Sequence, residues 1–285
     1  MGSLVVVGTG PGKAELMTPA PAAAVAQATD LVGYGPYLDR IPTIRPDQLR
    51  HASDNRVEIE RARLALSLAA SGKQVAVVSG GDPGVFAMAA ALFEALDHGT
   101  SEDHSIPISI HPGISAMNAA AAKLGAPLGH DFCAISLSDN LKSWDVISKR
   151  LKAAAEGDFV IALYNPASKA RPQSIYDAFE LLRAIKAPST PVAFARAIGR
   201  HDEKITLATL SEANLSIVDM ATLVMIQQMC FGLPQRQSHC SLLLGSSPIL
   251  PQRGFVSRKV QGRLLSGLLL PRPYHQTVAP EYRHS

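Results

Sequence analysis

The chain has 285 residues, 47% of them hydrophobic and 18% charged, a balance that builds an ordinary core and not a solvated polymer. Its formal charge of +3 is uneven: residues 226–285 hold seven of the 27 Lys and Arg but a single acid, Glu281. Residues 1–225 therefore carry 20 bases against 23 acids, which offers no nucleic-acid footprint, and no apolar run reaches the length of a membrane span. The three cysteines, Cys133, Cys230 and Cys240, make no C-x-x-C pair, so neither a metal site nor a disulfide framework is expected. No basic segment precedes the first apolar run, so no signal peptide is expected and the reducing cytoplasm is the expected compartment.

Leu4-Val5-Val6-Val7 reads as a strand, and Gly8-Thr9-Gly10-Pro11-Gly12 as the turn after it. A helix over 18–28 opens with Thr18 and Pro19, a cap followed by proline. Residues 30–34 form a second strand that runs into Gly35-Pro36-Tyr37-Leu38-Asp39-Arg40. Helical spacing over 57–71 ends at Gly72, placed as a C-terminal cap glycine.

Residues 74–78 are apolar and β-branched, a buried strand, followed by Ser79-Gly80-Gly81-Asp82-Pro83-Gly84-Val85 and an alanine- and leucine-rich helix over 85–96. Strand, glycine turn and helix start make a crevice of the kind in which open α/β sheets bind ligands. Asp82 has two readings: N-cap of the next helix, or acceptor for a ligand's hydroxyl or amine. Residues 106–111 form the next strand and feed Pro112-Gly113-Ile114-Ser115-Ala116 and a helix over 116–124. If the two strands are neighbours, their small-residue turns lie side by side and outline one adenosine-sized cleft.

A second half begins near Gly125. It has strands over 132–137, 159–164, 191–197, 204–210 and 220–226, the fourth of these antiparallel, and helices over 144–155 and 174–185. The alternation predicts an α/β fold.

The turns at Gly8–Gly12, Gly80–Gly84 and 112–116 together resemble those of the tetrapyrrole (corrin/porphyrin) methylase family. Tyr34-Gly35-Pro36-Tyr37, Ser53-Asp54-Asn55-Arg56, residues 125–140 and the run from Leu163 to Pro172 narrow the likeness to its ring-contracting, C17-methylating branch. The likeness spans about Leu4 to Val224. It implies a two-domain fold, 1–112 and 113–226, with S-adenosyl-L-methionine in the cleft between the domains, and a homodimer.

In family terms the cofactor lies against Pro11, Gly80, Gly81, Asp82, Val85, Ser115 and Ala116, and against Tyr164, Asn165 and Ala197 of the second half. The implied reaction is methyl transfer to C17 of precorrin-3B, with loss of the C20 carbon from the macrocycle, giving precorrin-4 in cobalamin biosynthesis. Acid–base help is needed near the C20 oxygen. Candidates are Tyr34, Tyr37, Asp39, His111, His130 and Asp131, placed at strand ends facing the cleft. A related branch has an Asp after the second strand's tyrosine; Gly35 stands there in this chain, so that base does not carry over. Arg40, Arg45, Arg50, Arg196, Arg200 and Lys142 are candidates to read the substrate's carboxylates.

After Ile226 the family pattern gives way to an atypical basic tail, 227–285. It reads either as a shifted reading frame or as a divergent, disordered native end. Three other functions stay open at this stage: the counterpart acting on cobalt-factor III, a catalytically impaired tetrapyrrole-binding homologue, and a Rossmann-type dehydrogenase. The last would need an acid at the end of the second strand, where Tyr34 and Gly35 stand.

Overall fold

The computed structural model describes residues 2–41, 45–54, 57–139, 142–168 and 170–227. The tail, Gln227 apart, lies outside these residues, as do Asn55 and Arg56 of the 53–56 motif.

The first half is a parallel sheet of β1 (Ser3–Gly8), β2 (Asp30–Tyr34), β3 (Leu49–Ser53), β4 (Gln74–Ser79) and β5 (Ile108–His111), in the order β3-β2-β4-β1-β5. Alternating side chains of its central strands feed two cores, as strands covered on both faces require. Leu4, Val6, Val32, Val75 and Val77 pack under α3 (Glu58–Ala70) and α4 (Met88–Asp97). Val7, Leu31, Ala76 and Val78 pack on the other face with Val25 of α1 (Pro19–Gln27) and Leu38 of the short α2 (Gly35–Leu38).

The second half is a mixed sheet of β6 (Phe132–Ser136), β7 (Val160–Tyr164), β8 (Pro191–Arg196), β9 (Lys204–Thr209) and β10 (Thr222–Ile226), in the order β6-β7-β10-β8-β9. β10 runs antiparallel to β7 and β8, and β9 antiparallel to β8, as the sequence suggested for the 204–210 strand. One face is covered by α6 (Trp144–Glu156) and α7 (Ser174–Ile185), through Ile147, Leu151, Phe179 and Leu182. The other face takes α5 (Ala116–Lys123), whose alanines meet Val160, Ala162, Ala193 and Met225.

Most predicted elements stand within two residues of their predicted ends, with three departures. β3 was missed because Leu49-Arg50-His51-Ala52-Ser53 is polar and lies on the sheet's edge. α4 starts at Met88 and not at 85, because residues 82–87 continue the loop and Phe86 has φ of +51°. The strands before the two small-residue turns, β4 and β5, are not neighbours: β1 lies between them. The two turns meet nonetheless, across the end of β1.

Candidate functional site

In a parallel sheet the loops after the strands gather at one edge, and a crevice opens where consecutive connections leave to opposite faces. Here that place is between β1 and β4. Gly10 and Gly81 join the two loops by a pair of backbone hydrogen bonds, 2.8 Å and 3.2 Å, with φ of +73° and +71° respectively. Such left-handed backbone costs glycine nothing. The β5 loop closes onto the same spot. A Cβ on Gly113 would stand 2.2 Å from the Gly81 carbonyl oxygen and 2.7 Å from the Gly8 carbonyl carbon. Only bare backbone lets the three loops touch over the end of β1.

Asp82 secures this contact. Its Oδ1 accepts from the Gly84 N–H at 2.8 Å and its Oδ2 from the Gly113 N–H at 3.1 Å. It therefore does not cap α4, whose N-cap is Ala87. It latches the β4 loop to the β5 loop and keeps the outer lone pairs of both oxygens for a ligand. Thr18 stands at the N-cap position of α1, as expected, but its hydroxyl makes no capping bond and donates to the Pro112 carbonyl at 3.0 Å, a second tie on the β5 loop.

The second sheet brings the C-terminal ends of β6, β7 and β8 to its side of the site. Ser115 caps α5, accepting the Asn118 N–H at 3.2 Å. The Tyr164 hydroxyl accepts the Met117 N–H at 3.0 Å, so it too satisfies the first turn of α5. Burial raises the Tyr164 pKa above the usual phenol value, which keeps this hydroxyl protonated and able to donate in turn. Asn165 has φ of +50° and donates its Nδ2 to Ser136 Oγ at 3.0 Å. Ala197 has φ of +49° and is buried. Five described non-glycine residues have positive φ, and three of them, Phe86, Asn165 and Ala197, sit on loops of this site. Strained backbone of this kind gathers at ligand sites.

The two edges meet directly. A Cβ on Gly12 would stand 2.6 Å from the Gly199 carbonyl oxygen, and one on Gly199 would stand 2.8 Å from the Pro11 ring. Phe86, exposed, lies 5.3 Å from the Tyr164 ring, with the Lys142 ammonium 5.9 Å from its own centroid.

The acid–base candidates divide. Tyr34 ends β2 and packs edge-on against Tyr37 at 5.3 Å, and Tyr37 in turn lies where a Cβ on Gly80 would be, 2.8 Å away. Those two tyrosines border the β4 loop. Asp39 is exposed and paired with Arg50 at 2.7 Å, as a surface carboxylate would be. His111 ends β5 at the site's edge, and its buried Nδ1 has no hydrogen-bond partner among the described residues. His130 and Asp131 precede β6, whose other end, Ser136, pairs with Tyr164. They lie at the opposite edge of the second sheet, away from Tyr164, Asn165 and Ala197, because β6 runs parallel to β7. Phe86, Ser136 and Gly199 also belong to this site, and the sequence alone does not single them out. No local motif marks the first two, and Gly199 shows its role only through its contact with Pro11 and Gly12.

The residues gathered here suit an adenosyl sulfonium ligand. The Asp82 carboxylate offers free lone pairs to a ribose or an amine, and the Tyr164 hydroxyl keeps its proton.

The sequence pattern of the tetrapyrrole (corrin/porphyrin) methylases matches residues 3–214. A precorrin-3B C(17)-methyltransferase of a Sinorhizobium species is 61% identical over 225 residues, covering 79% of this chain and 88% of that protein. The cobalamin biosynthesis protein CobIJ of Mycobacterium tuberculosis is 41% identical across all of this chain, which spans about half (51%) of that longer protein. Among solved structures, the methyltransferase CobJ superposes with a TM-score of 0.77 at 50% identity, over 80% of this chain and 95% of that one. A Thermus thermophilus uroporphyrin-III C-methyl transferase, complexed with S-adenyl homocysteine, shares the fold with a TM-score of 0.62 at 23% identity, over 79% and 92% of the two chains. The chain belongs to the tetrapyrrole (corrin/porphyrin) methylases.

Proposed function

We propose that this chain is an S-adenosyl-L-methionine-dependent C-methyltransferase that methylates C17 of precorrin-3B, with ring contraction to precorrin-4, in cobalamin biosynthesis. The observation that carries the reading is the meeting of two sheet edges at one cleft, built from the loops that the family likeness singles out. The 61% identity to the Sinorhizobium enzyme supports the substrate. The cofactor supplies an electrophilic methyl group on a sulfonium whose charge is lost on transfer. Pro11, Gly80, Gly81, Asp82, Val85, Ser115, Ala116, Tyr164, Asn165 and Ala197 are the residues that would hold it. The protein's main task is positioning: the cleft walls fix the macrocycle's nucleophilic carbon in line with the methyl group and keep water out. Tyr34, Tyr37 and His111 are the acid–base candidates that the fold leaves at the site's edge.

Two domains, 1–112 and 113–226, belong to this reading, supported by the two separate sheets and by the packing of α5 on the second. So do a homodimer, testable by sedimentation, and a cytoplasmic location. No helix among the described residues is long and apolar enough to cross a membrane. The mycobacterial likeness runs through residues 227–285, which supports a native tail over a shifted reading frame.

The test is incubation of the purified chain with S-adenosyl-L-methionine and precorrin-3B. One equivalent of S-adenosylhomocysteine should form for each ring-contracted product one methyl group heavier, read by mass and absorbance. A folded protein that gives neither overturns the reading. Calorimetric titration with S-adenosylhomocysteine checks the cofactor's place: binding should be saturable and lost in Asp82→Ala. A second substrate, cobalt-factor III, is favoured by relatives so named at 37% and 40% identity, and the same assay with the cobalt ring decides between them.

A further inference from the structure

Six cations were candidates for reading carboxylates, and their surroundings sort them. Arg45 donates to Asp47 at 3.1 Å and to the Ala26 and Ala28 carbonyls. Arg50 is spent on Asp39 at 2.7 Å. Arg196 is held between Asp219 at 2.8 Å and Asp202 at 3.0 Å. Lys142 lies over the Phe86 ring.

Arg40 and Arg200 differ from these. Among the described residues neither forms an ion pair, and both line a cavity of about 310 Å³ together with Gly12, Lys13, His201 and Asp202. The single carboxylate there, Asp202, is already bonded to Arg196. Arg40 comes from the turn after α2 in the first half, and its guanidinium rests 5.4 Å from the centre of the Tyr37 ring. Arg200 comes from the loop after β8 in the second half. Burial, and next the charge of Arg200, push the Arg40 pKa down, so the two like charges feel each other. The cavity also borders Gly12 and Gly199, where the two site edges touch.

Unpaired guanidiniums that converge in a concavity are stabilised by an anion, and their planar forks fit a carboxylate better than a point charge does. We propose that Arg40 and Arg200, one from each half, clamp a carboxylate arm of the tetrapyrrole substrate and so fix the rotation of the macrocycle beside the cofactor loops. The proposal rests on the function proposed above for its choice of anion. Arg45, Arg50 and Arg196, each committed to a carboxylate of the protein, do not read the substrate.

The test uses uroporphyrin, an octacarboxylate tetrapyrrole, titrated by absorbance against the full chain and against Arg40→Gln, Arg200→Gln and the double variant. Each single change should weaken binding about tenfold. The double variant should lose less than the product of the singles, because both arginines hold one group. S-adenosylhomocysteine affinity should stay at the wild-type value. Failure of the wild type to bind uroporphyrin, or wild-type affinity in both single variants, overturns the clamp. If a Gln variant also loses S-adenosylhomocysteine, the Arg→Lys variants are read instead: weakened porphyrin binding with cofactor binding intact supports the clamp, and unchanged porphyrin binding overturns it. Loss of porphyrin binding in the variants of a chain that does not methylate precorrin-3B keeps the clamp and removes the proposed function. Methylation with wild-type KM in both single variants does the reverse.

Discussion

The two edges that face each other across the cleft are built by opposite means. The first sheet brings its loops together by removing side chains, so that Gly8, Gly81 and Gly113 meet backbone to backbone and Gly10 pairs with Gly81. The second sheet keeps its side chains, and holds Asn165 and Ala197 in left-handed backbone that glycine would adopt without cost. Asn165 is held by Ser136, and the Tyr164 hydroxyl secures α5. The first edge gains closeness through its glycines and keeps its chemistry on Asp82; the second keeps side chains even at its left-handed positions Asn165 and Ala197 and stores strain there.

Adding a methyl group to the glycine edge should produce the largest effect. Gly113→Ala places its Cβ 2.2 Å from a carbonyl oxygen that cannot move without breaking the Gly10–Gly81 pair. A loss of about 3 kcal/mol is expected in urea unfolding, with loss of S-adenosylhomocysteine binding. Wild-type values would mean that the loops are not packed as described.

A smaller effect, confined to stability, is expected far from the site. Asp30 begins β2 at the sheet's other edge, fully buried, with His51 Nε2 at 2.7 Å and the Thr29 hydroxyl at 2.7 Å. Burial alone would raise its pKa, but these hydrogen bonds and the charges of His51 and Lys73 outweigh it and hold the carboxyl below its ordinary value. A depressed carboxylate stabilises the fold above its unfolded pKa, near 3.8, and that contribution is lost as the pH falls through the folded value. Asp30→Asn should therefore cost about 2 kcal/mol at pH 7, and the gap to wild type should shrink on acidification below pH ~4. Cofactor affinity at pH 7 should not change. A gap that is constant from pH 7 to pH 3 would show that the carboxylate charge contributes nothing.

Ala197→Gly tests the strained edge and should do least. Relief of left-handed strain gives back about 1 kcal/mol, and loss of a buried methyl takes away about 0.8 kcal/mol. Thermal unfolding should move by no more than about 2 °C. A large loss would show that the methyl packs more tightly than its position suggests.

That contrast also explains what was legible in the sequence. Glycines spaced along a loop after a β-branched run mark a crevice, so Gly80 and Gly81 could be chosen without coordinates, and Gly10 and Gly113 stood out only as parts of their turns. Strain at Ala197 and Phe86 leaves no trace in residue type, and the latter moved the start of α4 by three residues. Asp82 was found, but its bond to Gly113 joins positions 31 residues apart, and no local pattern foretells it. His130 was misplaced for a topological reason: it comes before its strand, while the site is formed by what comes after. The order of the strands was equally hidden, since nothing in β4 or β5 shows that β1 lies between them.

Between Ser3 and Gln227 the chain passes from the first sheet to the second only once, through the loop at 112–115 and α5. That connecting loop is also the third wall of the crevice, pinned by Asp82, Thr18 and the close contact of Gly113. Connector and binding wall are thus the same four residues. Any swing of one half against the other reshapes the crevice in the same movement, and whatever fills the crevice stiffens the joint.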